Sequence, residues 1–132
     1  MYSALNIPAA TTNSYFGASL TNYTYGDVMG GDANKGSTAA DQSDFTLLET
    51  FSFTTDNSYI KRKWVAVYDA VARANNVMHL AGLIKDELSA IPGQEKDFYT
   101  EAIAQARFMR GFYLFEGIKN FGAAIPYVSL ED

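Results

Sequence analysis

The polar segment from Tyr25 to Asp44 holds the side chains best suited to ligand binding. It is rich in amides, hydroxyls and carboxylates, which are the groups that hydrogen-bond sugar hydroxyls. Functional residues also concentrate in loops of this kind, because a loop can present polar groups without burying its backbone. The alternative is a solvated loop that binds nothing, and both interpretations stay open at this point. The candidate contacts are Tyr25, Asp32, Asn34 and Lys35.

Residue types for catalysis or metal binding are sparse in this chain. Cys is absent and His79 is the only histidine, so we expect neither a transition-metal site nor a cofactor. Asp32-x-Asn34-x-Gly36 begins like a calcium loop, but it fails at the fifth, sixth and twelfth positions of an EF-hand. No Gly-x-Ser-x-Gly motif is present. A glycosidase carboxylate pair stays open, because 15 acidic residues allow many pairs.

Four residues on the predicted helices could bind a ligand or stabilise the fold. Trp64 could stack on a sugar ring, yet its place on an apolar stripe favours a core role. Asn75 lies beside that stripe, which favours a buried amide that ties neighbouring helices by hydrogen bonds. Arg107 and Arg110 could hold an anion, but such arginines usually pair with carboxylates or carbonyls.

The composition describes an acidic but apolar chain. Its 132 residues are 48% hydrophobic, which is too apolar for intrinsic disorder. Net charge is −5 and no basic stripe exists, so nucleic acid is a poor partner for it. No stretch reaches the roughly 18 apolar residues of a membrane span. The first residues carry no secretory signal.

Helices must position these side chains. In the first half, apolar residues at helical spacing predict a helix over residues 12–29. Gly30-Gly31-Asp32 should end that helix, since glycine readily adopts the left-handed geometry of a helix stop. After the polar loop, residues 45–53 form an apolar stretch whose conformation the pattern leaves undecided.

The second half predicts two long helices. The first should span residues 58–88 before Ile91-Pro92-Gly93 breaks it. The second should span residues 94–121 with Gly122 as its C-cap. The N-cap candidates of the first helix are Asp56, Asn57 and Ser58. The apolar stripe of the first helix is Ile60, Trp64, Val67, Val71, Ala74, Met78 and Ala81.

Two long helices with a short connection predict an αα-hairpin and an all-α fold. Pro126 prevents the second helix from resuming, so residues 123–132 should be extended. The side chains predicted to make the contact between the two helices are Trp64, Val71, Phe98 and Phe112.

The later half of the last helix carries large apolar side chains around nearly its whole circumference. A soluble helix of this kind is buried on all sides, and one hairpin cannot supply so many neighbours. We therefore expect an incomplete unit, with sequence missing after Asp132, that covers its apolar surface by self-association or by other chains. The alternative is that residues 1–57 wrap the helix. The residues expected in such a contact are Phe112, Phe115 or Phe121.

Four short patterns follow one another in the order found in one family. Trp64-x3-Tyr68-x2-Val71-x2-Ala74-Asn75 resembles a family helix that carries Trp, Tyr, an aliphatic residue and Ala-Asn. Ala106-Arg107-Phe108-Met109-Arg110-Gly111-Phe112-Tyr113-Leu114-Phe115 resembles its Glu-Ala-Arg-Phe-Leu-Arg-Ala-x-Tyr-x-Phe helix. Asn120-Phe121-Gly122 with Ile125-Pro126 resembles its closing Gly-Asp-Val-Pro element, and Gly30-Gly31-Asp32 its early Gly-Asp. Over residues 20–128 the chain thus resembles the SusD-like (SusD/RagB) family of nutrient-binding lipoproteins. Gln105 and Gly111 depart from the pattern, where the family usually has Glu and Ala.

The resemblance implies a fold and a function. The fold would be long αα-hairpins of tetratricopeptide-like type, with residues 1–132 as the N-terminal portion of the domain. The function would be non-catalytic binding of a glycan or other nutrient at the bacterial cell surface. Delivery would be to a TonB-dependent outer-membrane transporter, and anchoring in the family is by a lipidated N-terminal Cys that this chain lacks. Two alternatives stay open: a helical-repeat adaptor that binds protein segments, and an all-α glycan-cleaving enzyme.

Overall fold

The computed structural model describes residues 23–92 and 97–128, and over these ranges it is helical with no β-strand. The predicted all-α class is therefore confirmed for this part of the chain. The backbone divides into two compact units within the longest helix, one ending at Ala66 and the other beginning at Val67. The elements are a π-helix over Tyr23–Val28, α1 over Ser43–Glu49, α2 over Ser58–Leu83, α3 over Lys85–Ser89 and α4 over Phe98–Phe121.

The first unit begins with the end of the helix predicted over residues 12–29. Residues 12–22 lie outside the described residues, and Tyr23–Val28 has π-helical geometry. The Asp27 carbonyl accepts hydrogen bonds from the Asp32 and Ala33 backbone N–H groups at 2.9 and 3.0 Å. Gly31 then takes φ 84°, so the helix ends inside the predicted Gly-Gly-Asp stop.

A small apolar core holds the first unit together. Val28, Phe45 and Leu48 are buried in it, and the undecided apolar stretch of residues 45–53 is helical in α1 only as far as Glu49. Lys63 is also completely buried, and its ammonium lies 5.8 Å from the centroid of the Tyr25 ring. The partly buried side chains around this core are Tyr25, Met29, Ala33, Phe53, Tyr59 and Ile60.

Asn57 joins the N-termini of α1 and α2. Its Oδ1 accepts a hydrogen bond from the Tyr59 backbone N–H at 3.0 Å, which makes Asn57 the N-cap among the three predicted candidates. Its Nδ2 donates to the Asp44 carbonyl at 2.8 Å. The Asp44 carboxylate accepts in turn from the Ser58 backbone N–H at 3.0 Å. Hydrogen bonds from Ser58 lower the pKa of the Asp44 carboxyl below its usual value.

The second unit begins partway along α2, and the helix predicted to reach residue 88 stops at Leu83. Gly82 is a weak helix former, and Ile84 leaves helical geometry with φ −119° and ψ 32°. Asp86 and Glu87 then lie in the first turn of α3, where the helix dipole favours negative charge. The single predicted helix is thus two helices in the structure.

Capping residues also decide where α4 begins and ends. It begins at Phe98 instead of residue 94, because Asp97 is its N-cap and accepts from the Tyr99 backbone N–H at 3.0 Å. At the other end Gly122 takes φ 79° and donates its backbone N–H to the Ile118 carbonyl at 2.9 Å. The predicted C-cap is confirmed.

Within the second unit, α4 contacts α2 in antiparallel order. Gly117 lies beside Val67, and further along Arg110 hydrogen-bonds to Asn75. A Cβ built on Gly117 would lie 2.9 Å from Ile125 Cδ1 and 3.3 Å from Val67 Cγ1. The backbone therefore approaches its neighbours closely at this point. The buried apolar side chains of this unit are mostly small: Val67, Ala70, Val71, Ala74, Ala81, Ala106, Met109 and Tyr113.

Of the four side chains predicted to make the contact between the two long helices, one is buried in the structure. Val71 is buried, but Trp64, Phe98 and Phe112 keep 38%, 38% and 37% of their surface exposed. Within this chain one side of the later half of α4 is exposed, and the expectation that further sequence or another chain covers it stays a prediction.

We expect Asn57→Ala to lower the free energy of unfolding by about 1–2 kcal/mol, because it removes the cap of α2 and a partner of the Asp44 carbonyl. Urea denaturation followed by circular dichroism measures this change. Asp56→Ala is the control, since this exposed neighbour was an equally plausible cap in the sequence. Equal effects of the two substitutions would contradict the assignment.

A second prediction compares two glycines of α4. Gly117→Ala should lower the free energy of unfolding by about 1 kcal/mol, because Val67 and Ile125 crowd the new methyl group. Gly111→Ala should raise it by about 0.5–1 kcal/mol, since its Cβ meets nothing within 4 Å and alanine favours helix. Thermal and denaturant unfolding of both variants checks the opposite signs. Two stabilised variants would show that Gly117 is not crowded.

Candidate ligand-binding loop

Lys35 organises the loop that connects the π-helix to α1. Its ammonium donates to the Thr38 carbonyl at 2.8 Å and to the Asp41 carbonyl. Its backbone N–H donates to Glu49 Oε1 at 3.1 Å, which ties the loop to the end of α1. The positive charge of Lys35 is therefore engaged by the loop's own carbonyl groups. Of the four predicted ligand contacts, this one has a structural role in the fold.

Asn34 and Asp32 remain as exposed polar groups of this loop. Asn34 Oδ1 accepts from the Gly36 backbone N–H at 3.0 Å, and the Asn34 carbonyl accepts from the Tyr23 hydroxyl at 2.9 Å. These bonds orient the Asn34 side chain. The Asp32 backbone is held by Asp27, while its carboxylate lies in the solvent-exposed part of the loop. Both side chains are thus positioned to accept or donate hydrogen bonds.

Tyr25 is directed away from this loop. It is half-buried against the core of the first unit, and its hydroxyl donates to the Tyr59 carbonyl at 2.6 Å. Burial raises the pKa of the Tyr25 hydroxyl, and the nearby Tyr59 raises it further. Asp32, Asn34 and Lys35 therefore share one loop, whereas Tyr25 is a core residue.

A second polar cluster lies in the unit that begins at Val67. Arg110 donates from Nη1 to Asn75 Oδ1 at 3.1 Å, and Asn75 Nδ2 donates to the Val128 carbonyl at 3.1 Å. The guanidinium of Arg110 lies 5.4 Å from the centroid of the Tyr127 ring. The prediction that Asn75 is a buried amide tying neighbouring segments is confirmed. Arg110 stabilises the fold as predicted, although through an amide and a ring in place of a carboxylate.

The segment after α4 is fastened at a further point that sequence reasoning missed. The Tyr68 hydroxyl donates to the Pro126 carbonyl at 2.8 Å. The segment was predicted to be extended, but its contacts were not predicted. The sequence feature that could have predicted these contacts is the pair Tyr68 and Asn75. These residues lie two turns apart on one helix, and each has a polar group at the end of its side chain. Arg107, by contrast, is exposed on α4.

Tyr113 carries a buried hydroxyl that has no hydrogen-bond partner among the residues that the structure describes. Burial raises the pKa of this hydroxyl to about 12, with the nearby Glu116 raising and Arg73 lowering it. Glu116 is itself buried and forms an ion pair with Lys119. A phenol held protonated in this way is a poor general base at neutral pH.

Among the residues that the structure describes, no three His, Cys, Asp or Glu side chains converge on one point. Within the same ranges, no helix combines the length and the apolar character needed to cross a membrane. Searches against protein-family models, curated proteins and solved structures find no match for this chain.

We expect Lys35→Met to loosen the loop and to cost about 1 kcal/mol, because two loop carbonyl groups lose a charged donor. Hydrogen exchange should become faster at the loop amides from Gly36 to Asp41. Lys61→Met, an exposed lysine on α2, is the matched control and should change stability by less than about 0.5 kcal/mol. Unchanged loop exchange in Lys35→Met would contradict the role assigned to Lys35.

Proposed function

We propose that this chain binds a glycan or another nutrient without catalysis, and presents it to a TonB-dependent transporter at the bacterial outer membrane. The observation that carries the proposal is the contact between three sequence patterns that resemble the SusD-like family. Asn75 of the first pattern hydrogen-bonds to Arg110 of the second. Tyr68 of the first pattern hydrogen-bonds to Pro126 of the closing element. Residues that resemble one family in sequence thus form one polar cluster in space.

The same contacts support a fold of the long αα-hairpin type. Gly117 beside Val67 and Arg110 beside Asn75 follow the antiparallel order that such a hairpin requires. We propose that the hairpin is tetratricopeptide-like, as in the family that the chain resembles, and that the whole protein is a lipid-anchored protein of the outer membrane facing outward.

Chemistry suited to glycans is offered by the loop that Lys35 organises. A preorganised loop loses less conformational entropy when a ligand binds, which favours affinity. Asp32 presents a carboxylate and Asn34 an amide in the exposed part of this loop. Carboxylates and amides form good hydrogen bonds with sugar hydroxyls. Trp64 offers a second type of contact, because more than a third of its surface is exposed and aromatic faces can stack on sugar rings.

The proposal is tested by incubating the protein with a panel of glycans and measuring both retention and cleavage. Retention without new reducing ends is the expected result. Asp32→Ala should then weaken binding by about tenfold, the loss that corresponds to one hydrogen bond with a charged group. Because the carboxylate is exposed, the variant should unfold at the same denaturant concentration as the parent chain.

Asp56→Ala is the control for this experiment, since it removes the same charge from an exposed position outside the loop. Equal losses for the two variants would indicate a general charge effect and would remove the loop from the proposal. New reducing ends would favour the glycan-cleaving enzyme. Binding to peptides but to no glycan would favour the helical-repeat adaptor.

A further inference from the structure

One side of α4 carries a regular row of exposed residues, which we call the α4 seam. Its members recur at alternating intervals of three and four, the spacing of positions a and d in a coiled coil. All six are exposed, although the row includes two phenylalanines with 71% and 58% of their surface in contact with solvent. The α4 seam consists of Glu101, Ala104, Phe108, Gly111, Phe115 and Ile118.

Large and small residues alternate along the middle of this seam. Phe108 and Phe115 are rings that project from the helix, whereas Ala104 and Gly111 leave hollows between them. A Cβ built on Gly111 meets no atom of the described residues within 4 Å, so the hollow at this position is open to them. Large residues pack best against small ones on a facing helix.

We propose that the α4 seam is the interface of a homodimer, in which α4 pairs in antiparallel orientation with α4 of a second copy. In one register, Phe108 faces Gly111 of the second copy and Phe115 faces its Ala104. The two-fold symmetry repeats both contacts in the opposite direction. Each phenylalanine ring of one copy then packs against a small residue of the other, so the seam is complementary to a second copy of itself.

Charge favours the same orientation. Glu101 lies at the N-terminal end of the seam, where Gln105 donates a hydrogen bond to its carboxylate at 2.9 Å. Lys119 lies at the C-terminal end, where its partly exposed ammonium pairs with Glu116 and lies 5.4 Å from the centroid of the Phe115 ring. Antiparallel pairing brings Lys119 of one copy close to Glu101 of the other, at both ends of the interface. Parallel pairing would place the two Glu101 carboxylates together, which weakens association.

The size of the seam predicts a weak, concentration-dependent dimer. Its six positions extend over about 26 Å of helix at 1.5 Å per residue. The exposed parts of the two rings amount to roughly 250 Å² in each copy, against about 800 Å² per partner in a standard interface. An interface of this size gives only weak association. The dimer therefore needs the contacts of both Phe108 and Phe115.

Sedimentation velocity over a wide concentration range tests the proposal with the full chain. The parent protein should pass from monomer to dimer as its concentration rises. Gly111→Leu should raise the dissociation constant at least about tenfold, because the new side chain fills the hollow that receives Phe108. The fold of the variant should be unaffected, since space around Gly111 is free.

Gly82→Leu is the matched control. Gly82 is an exposed helical glycine whose Cβ also meets nothing within 4 Å, and it lies outside the seam. This variant should dimerise like the parent chain. The comparison also separates the seam from general hydrophobic association, since adding leucine would strengthen the latter in both variants. A parent chain that stays monomeric, or a Gly111→Leu variant that still dimerises, overturns the proposal.

Cysteine pairs test the orientation. The chain has no cysteine, so any disulfide must join introduced residues. In the proposed register Glu101 of one copy faces Ile118 of the other. A mixture of the Glu101→Cys and Ile118→Cys proteins should form a disulfide-linked dimer between the two variants, and each variant alone should not. Crosslinking of either variant with itself would contradict the antiparallel register.

Discussion

The buried amide of Asn75 is the constraint on which the second unit depends. A buried amide that lacks hydrogen bonds costs on the order of 1–3 kcal/mol per unsatisfied group, so both ends of this one need a partner. Its oxygen accepts from Arg110 on α4, and its nitrogen donates to the Val128 carbonyl in the segment that follows. One side chain thereby determines the alignment of α2, α4 and the last described residues. Small residues near it let the helices come close enough for these bonds to form.

The first unit uses the same principle with different groups. Asn57 there satisfies both a helix N-terminus and a loop carbonyl, and Lys35 satisfies two further carbonyls. Each unit is therefore ordered by a few polar side chains that hydrogen-bond to backbone groups, in addition to its apolar contacts. Such bonds are directional, so they specify geometry where alanine and glycine surfaces alone would allow sliding.

Local signals in the sequence predicted the elements better than their contacts. The helix stop at Gly31 and the cap at Gly122 were predictable, and the cap of α2 was narrowed to three adjacent residues, because each depends on a residue and its immediate neighbours. The break after Leu83 was missed, since the apolar pattern continues through it and only the backbone of Ile84 departs from helical geometry.

Contacts between helices were harder to predict, because periodicity identifies a face but not which side chains on it are covered. Trp64 fits the apolar stripe by spacing, yet its ring remains partly exposed while the neighbouring Lys63 is buried. For the candidate loop, composition predicted Asp32 and Asn34 as exposed polar groups. It could not predict that Lys35 would be engaged within the loop, or that Tyr25 would turn into the core, since both depend on tertiary packing.

The burial of Lys63 has a practical consequence for following how the first unit opens. Amine-reactive reagents modify the lysine side chains that solvent can reach, and the ammonium of Lys63 is completely covered in the folded unit. Its modification therefore requires an opening of the unit around α2. Exposed Lys61, two residues earlier on the same helix, reacts without opening and supplies an internal reference. The ratio of Lys63 labelling to Lys61 labelling therefore measures how often the first unit opens locally around α2.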